Sequence, residues 1–437
     1  MGNDIQSVIK QYAAGTTFRI GAGVHRRQGI TPRTGDRFLG EPGAVLSGAL
    51  VIDGFVQSGS YWVLGGRTEQ VNVHGSCGSG GAGCAYNTDL FWDGRPLRQV
   101  LSLAELAPGN WYFDYAADRV YLADNPSGHV LELSGNVWQA FSGSASNVTI
   151  SGLTIQQYAT PAQRGAIQGG SSSNWVVSNN LLQFNHGGGL RIGNGMQVLN
   201  NRVLNNGQIG VIGVAVNTLV QGNEIAWNNL LGYAGGWEAG GTKFVKTQGL
   251  VVRDNHVHHN DGPGLWTDID NQDVLYEDNL VEWNEGVGIS HEISFRAVIR
   301  NNVVRNNGLG FDPWLWGGQI MVQNSAGAEV YGNTVTIPAE GGNGLVIVNQ
   351  NRGDWVSRDN YFHDNLVIHL GNSGVNGFAD DTATKPACGV EANNRFDGNS
   401  YQLPDPTRNR WHWCNRYDNW QQLRDAGQEL TGTVTLN

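Results

Sequence analysis

The sequence predicts an all-β protein built as a right-handed parallel β-helix, a solenoid of stacked coils, with a β-sandwich inserted near its start. Three observations lead to this prediction: short apolar segments repeat along the chain, an asparagine stands at a fixed place in each repeat, and one region breaks the pattern. Of the 437 residues, 40% are hydrophobic and 63 are glycine, which suits a large β-rich core with many turns.

The repeat is marked by an asparagine that separates two short apolar strands. These markers are Asn180, Asn201, Asn223, Asn255, Asn279, Asn302 and Asn333, in steps of 21, 22, 32, 24, 23 and 31 residues. Such a period without helical periodicity is typical of coils whose strands stack in parallel, and the long steps predict loop insertions. Because a corner asparagine can adopt the left-handed conformation and bond its neighbours' backbone, we interpret the markers as scaffold.

The pattern divides the chain into three parts. Residues 1–50 predict a short N-terminal helix as a cap, followed by the first coils of the β-helix. Residues 51–135 break the period, and alternating segments such as NWYFDYAADRVYLAD predict the antiparallel strands of the inserted β-sandwich. Residues 136–437 predict the main β-helix, and YDNWQQLRDAG predicts a short helix that caps its far end.

A second alignment predicts which side chains face outward on one sheet. It sets GLWTDID (264), GISHEIS (288), QIMVQNS (319) and GLVIVNQ (344) under one another. If the second residue of each strand points inward, alternation turns every other residue outward. The outward residues are then Trp266, Asp268 and Asp270 on one coil, Ser290, Glu292 and Ser294 on the next, and Met321, Gln323, Val346 and Val348 beyond them.

Asp268 and Glu292 fall in the same register on successive coils, so their backbones should be about 4.8 Å apart. Retaining glycosidases hold two carboxyl groups about 5 to 5.5 Å apart, whereas inverting ones need roughly 6.5 to 9.5 Å to admit a water. Repulsion between close carboxylates also raises the pKa of one of them, which can then act as an acid. The pattern therefore predicts Asp268 and Glu292 as a catalytic pair.

Aromatic and polar residues around this pair predict a sugar-binding site. The chain has 15 tryptophans, and flat sugar rings stack on such side chains. Glu238, Lys243 and Lys246 add charge to a glycine-rich insertion in the preceding coil. The predicted substrate-binding residues are Trp266, Lys243, Asp270, Trp237, Trp314, Trp316, His291 and Gln323. Of these, His291 should point inward, so we expect it to support the site rather than to act as a general base.

Three motifs carry a resemblance to a known family: WEAGGTKF (237), GLWTDIDNQDVLYEDN (264) and ISHEISFRAVIRNN (289). With the β-sandwich upstream, they resemble the pectate-lyase-like β-helix glycoside hydrolases, in particular the β-xylosidases of glycoside hydrolase family 120. The resemblance implies that Asp268 is the nucleophile, Glu292 the acid/base and Glu238 an assisting carboxylate. Where that family has an Asn-His pair after the acid/base, this chain has Ile293 and Ser294, a difference that concerns the sugar recognised.

Two other functions stay open. In a polysaccharide lyase or C5-epimerase, Lys243 or Lys246 would abstract a proton beside a uronate while Asp268 and Asp270 hold a calcium ion. The net charge of −11 and the lack of an arginine cluster speak against this reading. The third reading is a non-catalytic glycan-binding β-helix, which gives no reason for two carboxylates in register.

The composition also sets expectations for partners and location. The net charge of −11 excludes the basic surface expected of a nucleic-acid binder. The sequence has no run of 18 apolar residues, so it predicts no membrane-spanning helix. We therefore expect a carbohydrate partner. A homo-oligomer stays open. His256, His258 and His259 are interpreted as surface residues rather than metal ligands, and we expect no cofactor, apart from a structural or catalytic Ca²⁺ that stays open.

The four cysteines predict two local disulfides, Cys77 with Cys84 and Cys388 with Cys414. Disulfides indicate a secreted or periplasmic protein. The segment after Met1 is amphipathic rather than signal-like, so we expect that any export signal has been removed.

Overall fold

The computed structural model describes residues 4–309 and 314–437. The chain forms two compact units, of which the first runs to Ile212 and includes Trp227–Ala239, and the second contains Gly213–Ala226 and Gly240–Asn437. In each unit, a coil contributes one short strand to each of three parallel sheets, the arrangement of a parallel β-helix.

The first unit opens with the short helix Ile5–Ile9, whose N-cap is Asp4. The strands of its three parallel sheets, sheet by sheet, are Thr17–Ile20, Arg37–Gly40, Thr149–Ser151, Val176–Ser178 and Gln197–Leu199; Gly23–Arg26, Ala44–Ser47, Thr154–Gln156, Leu181–Gln183 and Arg202–Leu204; and Phe141–Ser142, Gly165–Gln168, Gly188–Ile192 and Ile209–Gly213. Short 3₁₀ turns lie at Ala82–Ala85, Leu103–Glu105 and Gly235–Trp237.

A β-sandwich interrupts these coils. One sheet contains Ala49–Ile52, Leu131–Ser134, Leu90–Trp92 and Arg95–Pro96, and the other contains Arg98–Val100, Asn110–Asp114, Arg119–Leu122, Tyr61–Gly65 and Val56–Ser58. Alternate residues of both sheets, among them Leu90, Leu133, Trp111 and Val120, meet in one hydrophobic core. Except for the parallel pairing of Arg98–Val100 with Asn110–Asp114, the neighbouring strands are antiparallel.

The second unit has the same kind of coils, except that Arg416–Asp418 pairs antiparallel with Trp411–Trp413. Its strands, sheet by sheet, are Leu219–Gln221, Val251–Arg253, Gln272–Glu277, Phe295–Arg300, Glu329–Tyr331, Tyr361–His363 and Arg395–Asp397; Glu224–Ala226, His256–His258, Leu280–Glu282, Val303–Arg305, Thr334–Ile337, Leu366–His369, Ser400–Leu403 and Thr433–Leu436; and Gly240–Phe244, Leu265–Asp268, Ile289–Glu292, Gly318–Gln323, Asn343–Asn349, Asn376–Asp380, Trp411–Trp413 and Arg416–Asp418. The 3₁₀ turns Pro386–Cys388 and Val390–Ala392 and the helix Trp420–Asp425 complete it.

The marker asparagines form hydrogen-bonded ladders inside the coils. Asn279 accepts hydrogen bonds from the backbone and side chain of Asn255, and Asn302 accepts the same pair from Asn279. The prediction that these asparagines are scaffold agrees with this ladder, but their expected left-handed conformation is wrong. That conformation belongs to the residue before each marker, such as Asp278 and Asn301, because the turn must bend before the ladder side chain can point inward.

Both predicted disulfides are present, Cys77 with Cys84 in the first unit and Cys388 with Cys414 in the second. They are compatible with an oxidising, extracytoplasmic location. The helix predicted in the C-terminal tail is also confirmed, and Asn419 and Gln422 form its capping box. Among the residues described, no helix is long and apolar enough to cross a membrane.

Candidate active site

Two adjacent strands of the second unit carry the candidate site. Leu265–Asp268 and Ile289–Glu292 are parallel, and their register pairs Trp266 with Ser290 and Asp268 with Glu292. Neighbouring strands lie about 4.8 Å apart, so the two carboxylates leave the sheet side by side. The side-chain contacts follow the predicted alternation, since Trp266 is hydrogen bonded to Glu292, and the intervening Thr267 is hydrogen bonded to His291.

Asp268 lies against a cation and an aromatic ring. Its Oδ2 is 2.7 Å from Lys243 Nζ, and the same Nζ lies 3.8 Å from the centre of the Trp266 ring. Asp268 Oδ1 is buried and accepts no hydrogen bond within the described part of the chain. A buried, unpaired carboxylate oxygen is costly in a folded protein, and such groups concentrate at functional sites.

Glu292 is bonded on both of its oxygens. Trp266 Nε1 donates to Oε2 at 3.2 Å, and Arg352 Nη2 donates to Oε1 at 3.0 Å. Burial, followed by the charge of Asp268, raises the pKa of Glu292, while Arg352, Lys243 and the Trp266 hydrogen bond act in the opposite direction. The side chain is thus a buried carboxyl group inclined toward its protonated form.

His291 points inward, as the alternation predicts. Its Nδ1 is 2.9 Å from Thr267 Oγ1, and burial lowers its pKa to about 3. A neutral, fully buried imidazole supports the strand pair from behind and cannot contact a substrate on the outer face. The prediction that His291 binds substrate is therefore wrong, whereas the expectation that it is not a general base is consistent with these contacts.

Asp270 and Ser294 do not extend the face, which corrects the prediction. The strand ends at Asp268, and both Ile269 and Asp270 have left-handed φ values of 66° and 56°. The alternation therefore stops, and Asp270 accepts a hydrogen bond from Gln272 at 3.4 Å. Ser294 lies inside the corner, where its Oγ donates to the carbonyl oxygen of Glu292.

The next coils continue the outward face with different chemistry. Gln323 is the register partner of Glu292, and Met321 is the partner of Ser290. Beyond them the face is apolar, because Met321 packs with Val346 and Val348 beneath the half-buried Trp314 and Trp316. The two tryptophans therefore form an aromatic wall on this side, with ring centres 5.2 Å apart.

Glu238 and Trp237 belong to the first unit. Glu238 has the unusual φ of 101°, and Gln163 Nε2 donates to its carboxylate at 2.6 Å. Trp237 stacks on Tyr233 with ring centres 6.2 Å apart and meets His74 edge-on. A non-glycine residue held in such a conformation is typical of functional loops.

The groups considered for a lyase or a metal site are arranged differently. Lys246 is exposed and has a left-handed φ of 51°, two residues after the end of the strand Gly240–Phe244. His256, interpreted from the sequence as a surface residue rather than a metal ligand, lies 3.0 Å from Glu282 on the next coil. Within residues 4–309 and 314–437, no three His, Cys, Asp or Glu side chains converge in a way that could hold a metal.

Arg352 is the residue that the sequence analysis missed. It lies 60 positions after Glu292, in an irregular loop between Asn343–Asn349 and Tyr361–His363. The strand alternation that predicts the site does not extend into an irregular loop, so it could not predict Arg352. The signal that could have revealed it is the long step from Asn333 to Asn365, which marks an insertion, together with the charged sequence NRGDW inside it.

Comparison with known proteins agrees with the fold. A family model described as a right-handed beta helix region matches residues 164–335. A solved structure of XylC in complex with xylose is similar, with a TM-score of 0.65 and 15% identity over 98% of this chain and 82% of that chain. The resemblance to right-handed β-helix proteins expected from the sequence is confirmed at the level of the fold.

Two modules of mannuronan C-5 epimerases from Azotobacter vinelandii are also similar. The AlgE4 A-module has a TM-score of 0.53 and 11% identity over 99% of this chain and 92% of its own. The AlgE6 A-module has a TM-score of 0.50 and 12% identity over 99% and 93%. No curated protein sequence matches the chain. At such identities the likeness shows the fold, and the chemistry must be argued from the site.

Proposed function

We propose that the protein is a retaining glycoside hydrolase that acts on neutral plant or microbial oligosaccharides or polysaccharides, with β-xylosides as leading candidates. The observation that supports this most is the register pairing of Asp268 with Glu292, combined with the raised pKa of Glu292. Asp268 is paired with Lys243, whereas burial of Glu292 favours its protonated form. A two-carboxylate glycosidase requires this division into an ionised nucleophile and a protonated acid.

In the first step, an oxygen of Asp268 attacks the anomeric carbon as the bond from that carbon to the leaving oxygen breaks. The bonding electrons go to the leaving oxygen, which takes the proton of Glu292. In the second step, the Glu292 carboxylate removes a proton from water, and the water oxygen displaces Asp268 from the glycosyl ester. Both carboxyl groups then return to their starting states, and the sugar keeps its anomeric configuration.

The neighbouring side chains serve this chemistry. Lys243 orients Asp268 through the 2.7 Å ion pair and spans the face of Trp266. Trp266 itself orients Glu292 through its indole N–H. Because Trp266 is only 7% exposed, we assign it mainly to positioning the two carboxylates, and we assign sugar stacking to less buried aromatic residues.

The assisting role that the resemblance gives Glu238 stays a prediction and is not part of this proposal. The lyase or epimerase reading has less support. It needs a lysine base, whereas Lys243 is engaged with Asp268 and Lys246 lies beyond the end of the strand Gly240–Phe244. It also needs Asp268 and Asp270 on one face, and the strand ends between them.

The test is a screen of nitrophenyl xyloside, arabinoside and fucoside with the wild-type protein, Asp268→Asn and Glu292→Gln. Loss of turnover in Asp268→Asn is expected, with Asp278→Asn as the control because Asp278 is an exposed corner residue outside the site. Proton NMR of the first-formed sugar should show retention. An inverted product would refute the mechanism, an absorbance rise near 235 nm on a uronate polymer would favour the lyase, and binding without turnover would favour a glycan-binding protein.

A further inference from the structure

The loop of residues 350–358, which follows the strand Asn343–Asn349, is held in a fixed shape beside the candidate site. Asn324 Nδ2 donates to the carbonyl oxygens of Gln350 at 2.7 Å and Trp355 at 2.8 Å. Asn324 Oδ1 also accepts from the backbone N–H of Gln350 at 3.0 Å. One buried side chain thus ties down both ends of the segment between Gln350 and Trp355.

Two side chains of this loop point to different places. Arg352 reaches Glu292, as described above, and Trp355 packs on Phe295 with ring centres 4.8 Å apart. Phe295 lies three residues after Glu292, and three residues of chain span at most about 11 Å, so the backbone under the Trp355 ring lies within that distance of the Glu292 backbone.

A cavity of about 680 Å³ lies at Trp355. This volume is in the range of small-molecule sites. Its walls combine aromatic and aliphatic surface with three charged groups, and the residues that matter here are Phe295, Trp355, Pro386, Asp354, Arg358 and Glu391. Aromatic faces beside hydrogen-bonding side chains suit a sugar ring, which has apolar faces and a polar edge.

Apolar side chains fill the outward face on the two coils after Glu292. There Met321, Val346 and Val348 are buried and pack with the half-buried Trp314 and Trp316. Within residues 4–309 and 314–437, these side chains occupy the outward face that a leaving group departing from Glu292 would otherwise meet on the following coils. The side occupied by the loop of residues 350–358 remains available for it.

We infer that this cavity is a subsite for the sugar unit on the leaving-group side, with Trp355 and Phe295 as its aromatic floor. The inference rests on the proposed function, because only an acid/base at Glu292 makes this the leaving-group side. It goes beyond that function because it gives the loop of residues 350–358 a role in selecting the substrate by its length. The enzyme then prefers an oligosaccharide, whose leaving group is a sugar, to a simple glycoside.

The charges of the cavity select a neutral sugar. Asp354 and Glu391 outnumber Arg358 among the lining residues, and Arg352 is already engaged with Glu292. A uronate in this cavity would meet a net negative wall, so its carboxylate would be repelled. The hydroxyl groups of a neutral sugar can instead donate to the two carboxylates and accept from the guanidinium.

The test is isothermal titration of xylotriose and of trigalacturonate into an inactive Asp268→Asn background, or into Glu292→Gln if the first is unstable. We expect xylotriose to bind, and Trp355→Ala to weaken that binding about tenfold, a typical loss for one aromatic contact. Trigalacturonate should not bind. Trp283→Ala is the matched control, because Trp283 is a tryptophan 46% exposed in a different corner.

A kinetic readout separates this inference from the proposed function. In the active enzyme, Trp355→Ala should lower the ratio of kcat/KM for xylotriose to kcat/KM for xylosyl fluoride, whose leaving group needs no subsite. An unchanged ratio with both substrates cleaved would overturn the subsite while the hydrolase stands. Trp355-dependent binding without any cleavage would refute the hydrolase and keep the sugar site. Equal xylotriose binding with and without Trp355, no xylotriose binding at all, or preferred binding of trigalacturonate would overturn the inference.

Discussion

Arg352 donates a hydrogen bond to Glu292 Oε1 at 3.0 Å, and its charge opposes the burial that raises the pKa of that carboxyl group. The guanidinium side chain is 45% exposed, so it lies at the edge of the site and not inside it. A cation in this position sets the pH range over which Glu292 holds its proton, without taking part in the bond changes.

Arg352→Gln should therefore move the alkaline limb of the kcat/KM profile to higher pH. The acid must be protonated for the first step, so activity falls as the pH rises through the pKa of Glu292. Removing a charge that lowers this pKa lets it rise, and activity persists to higher pH. Profiles should be measured with a substrate that has a poor leaving group. Arg408→Gln, an exposed arginine near the C-terminus, is the control. A limb that stays in place or moves to lower pH would contradict the assignment.

Glu292→Ala should discriminate between leaving groups. Substrates with poor leaving groups need the proton, and general acid catalysis contributes roughly 10²- to 10⁴-fold, so they should slow by that factor. Activated aryl glycosides should slow far less in their first step. The measurement is kcat/KM across a series of aryl glycosides of graded leaving-group pKa. Equal slowing of all members would mean that Glu292 only holds the site together, and Glu340→Gln serves as an exposed-glutamate control.

The site was predictable from the sequence where strand alternation holds, and not elsewhere. The register of Asp268 and Glu292 follows from a period of two along Leu265–Asp268 and Ile289–Glu292. Asp270 was misassigned because two left-handed residues end the strand, and no periodicity reveals where a strand stops. Arg352 was missed because a loop side chain reaches the site through tertiary contacts that the repeat does not encode.

The fold was more predictable than the site because one solution repeats in every coil. The marker asparagines appear in the sequence because each ladder side chain must both donate to and accept from its neighbours, which few residue types can do. The left-handed conformation was predicted for the marker asparagine, but the residue before the marker adopts it. Sequence alone does not distinguish Asn301, which bends the chain, from Asn302, which forms the ladder. The two roles need different chemistry, and this difference can be measured.

Asn302→Ala should destabilise the protein by roughly 3 to 5 kcal/mol, whereas Asn301→Gly should change stability by less than about 1 kcal/mol. The first change removes the acceptor for Asn279 and leaves the carbonyl of Tyr276 without its donor. The second keeps a left-handed residue at φ 55° with a type that adopts it freely. Urea unfolding of both variants provides the measurement. Similar losses in the two would mean that the side-chain ladder contributes little.

Glu429 should make the stability of the fold depend on pH. It ends the asparagine ladder, where it accepts hydrogen bonds from the backbone and side chain of Asn399 and from Tyr401. Burial raises its pKa from 4.5 to about 7, the opposite of what these donors favour. Because the folded-state pKa lies above the unfolded value, the stabilisation is fully present below pH 4.5 and is lost as the pH rises through about 7.

The expected loss between pH 5 and pH 9 is therefore roughly 3 kcal/mol, since one pKa unit corresponds to about 1.4 kcal/mol. Glu429→Gln cannot ionise, so its free energy of unfolding should lose this slope, whatever its absolute value. Urea unfolding at several pH values, with Glu340→Gln as an exposed control that keeps the slope, decides the matter. If the Gln variant retains the wild-type slope between pH 5 and 9, the titrating group lies elsewhere, and Glu429 ends the ladder as a carboxylate that stays ionised throughout.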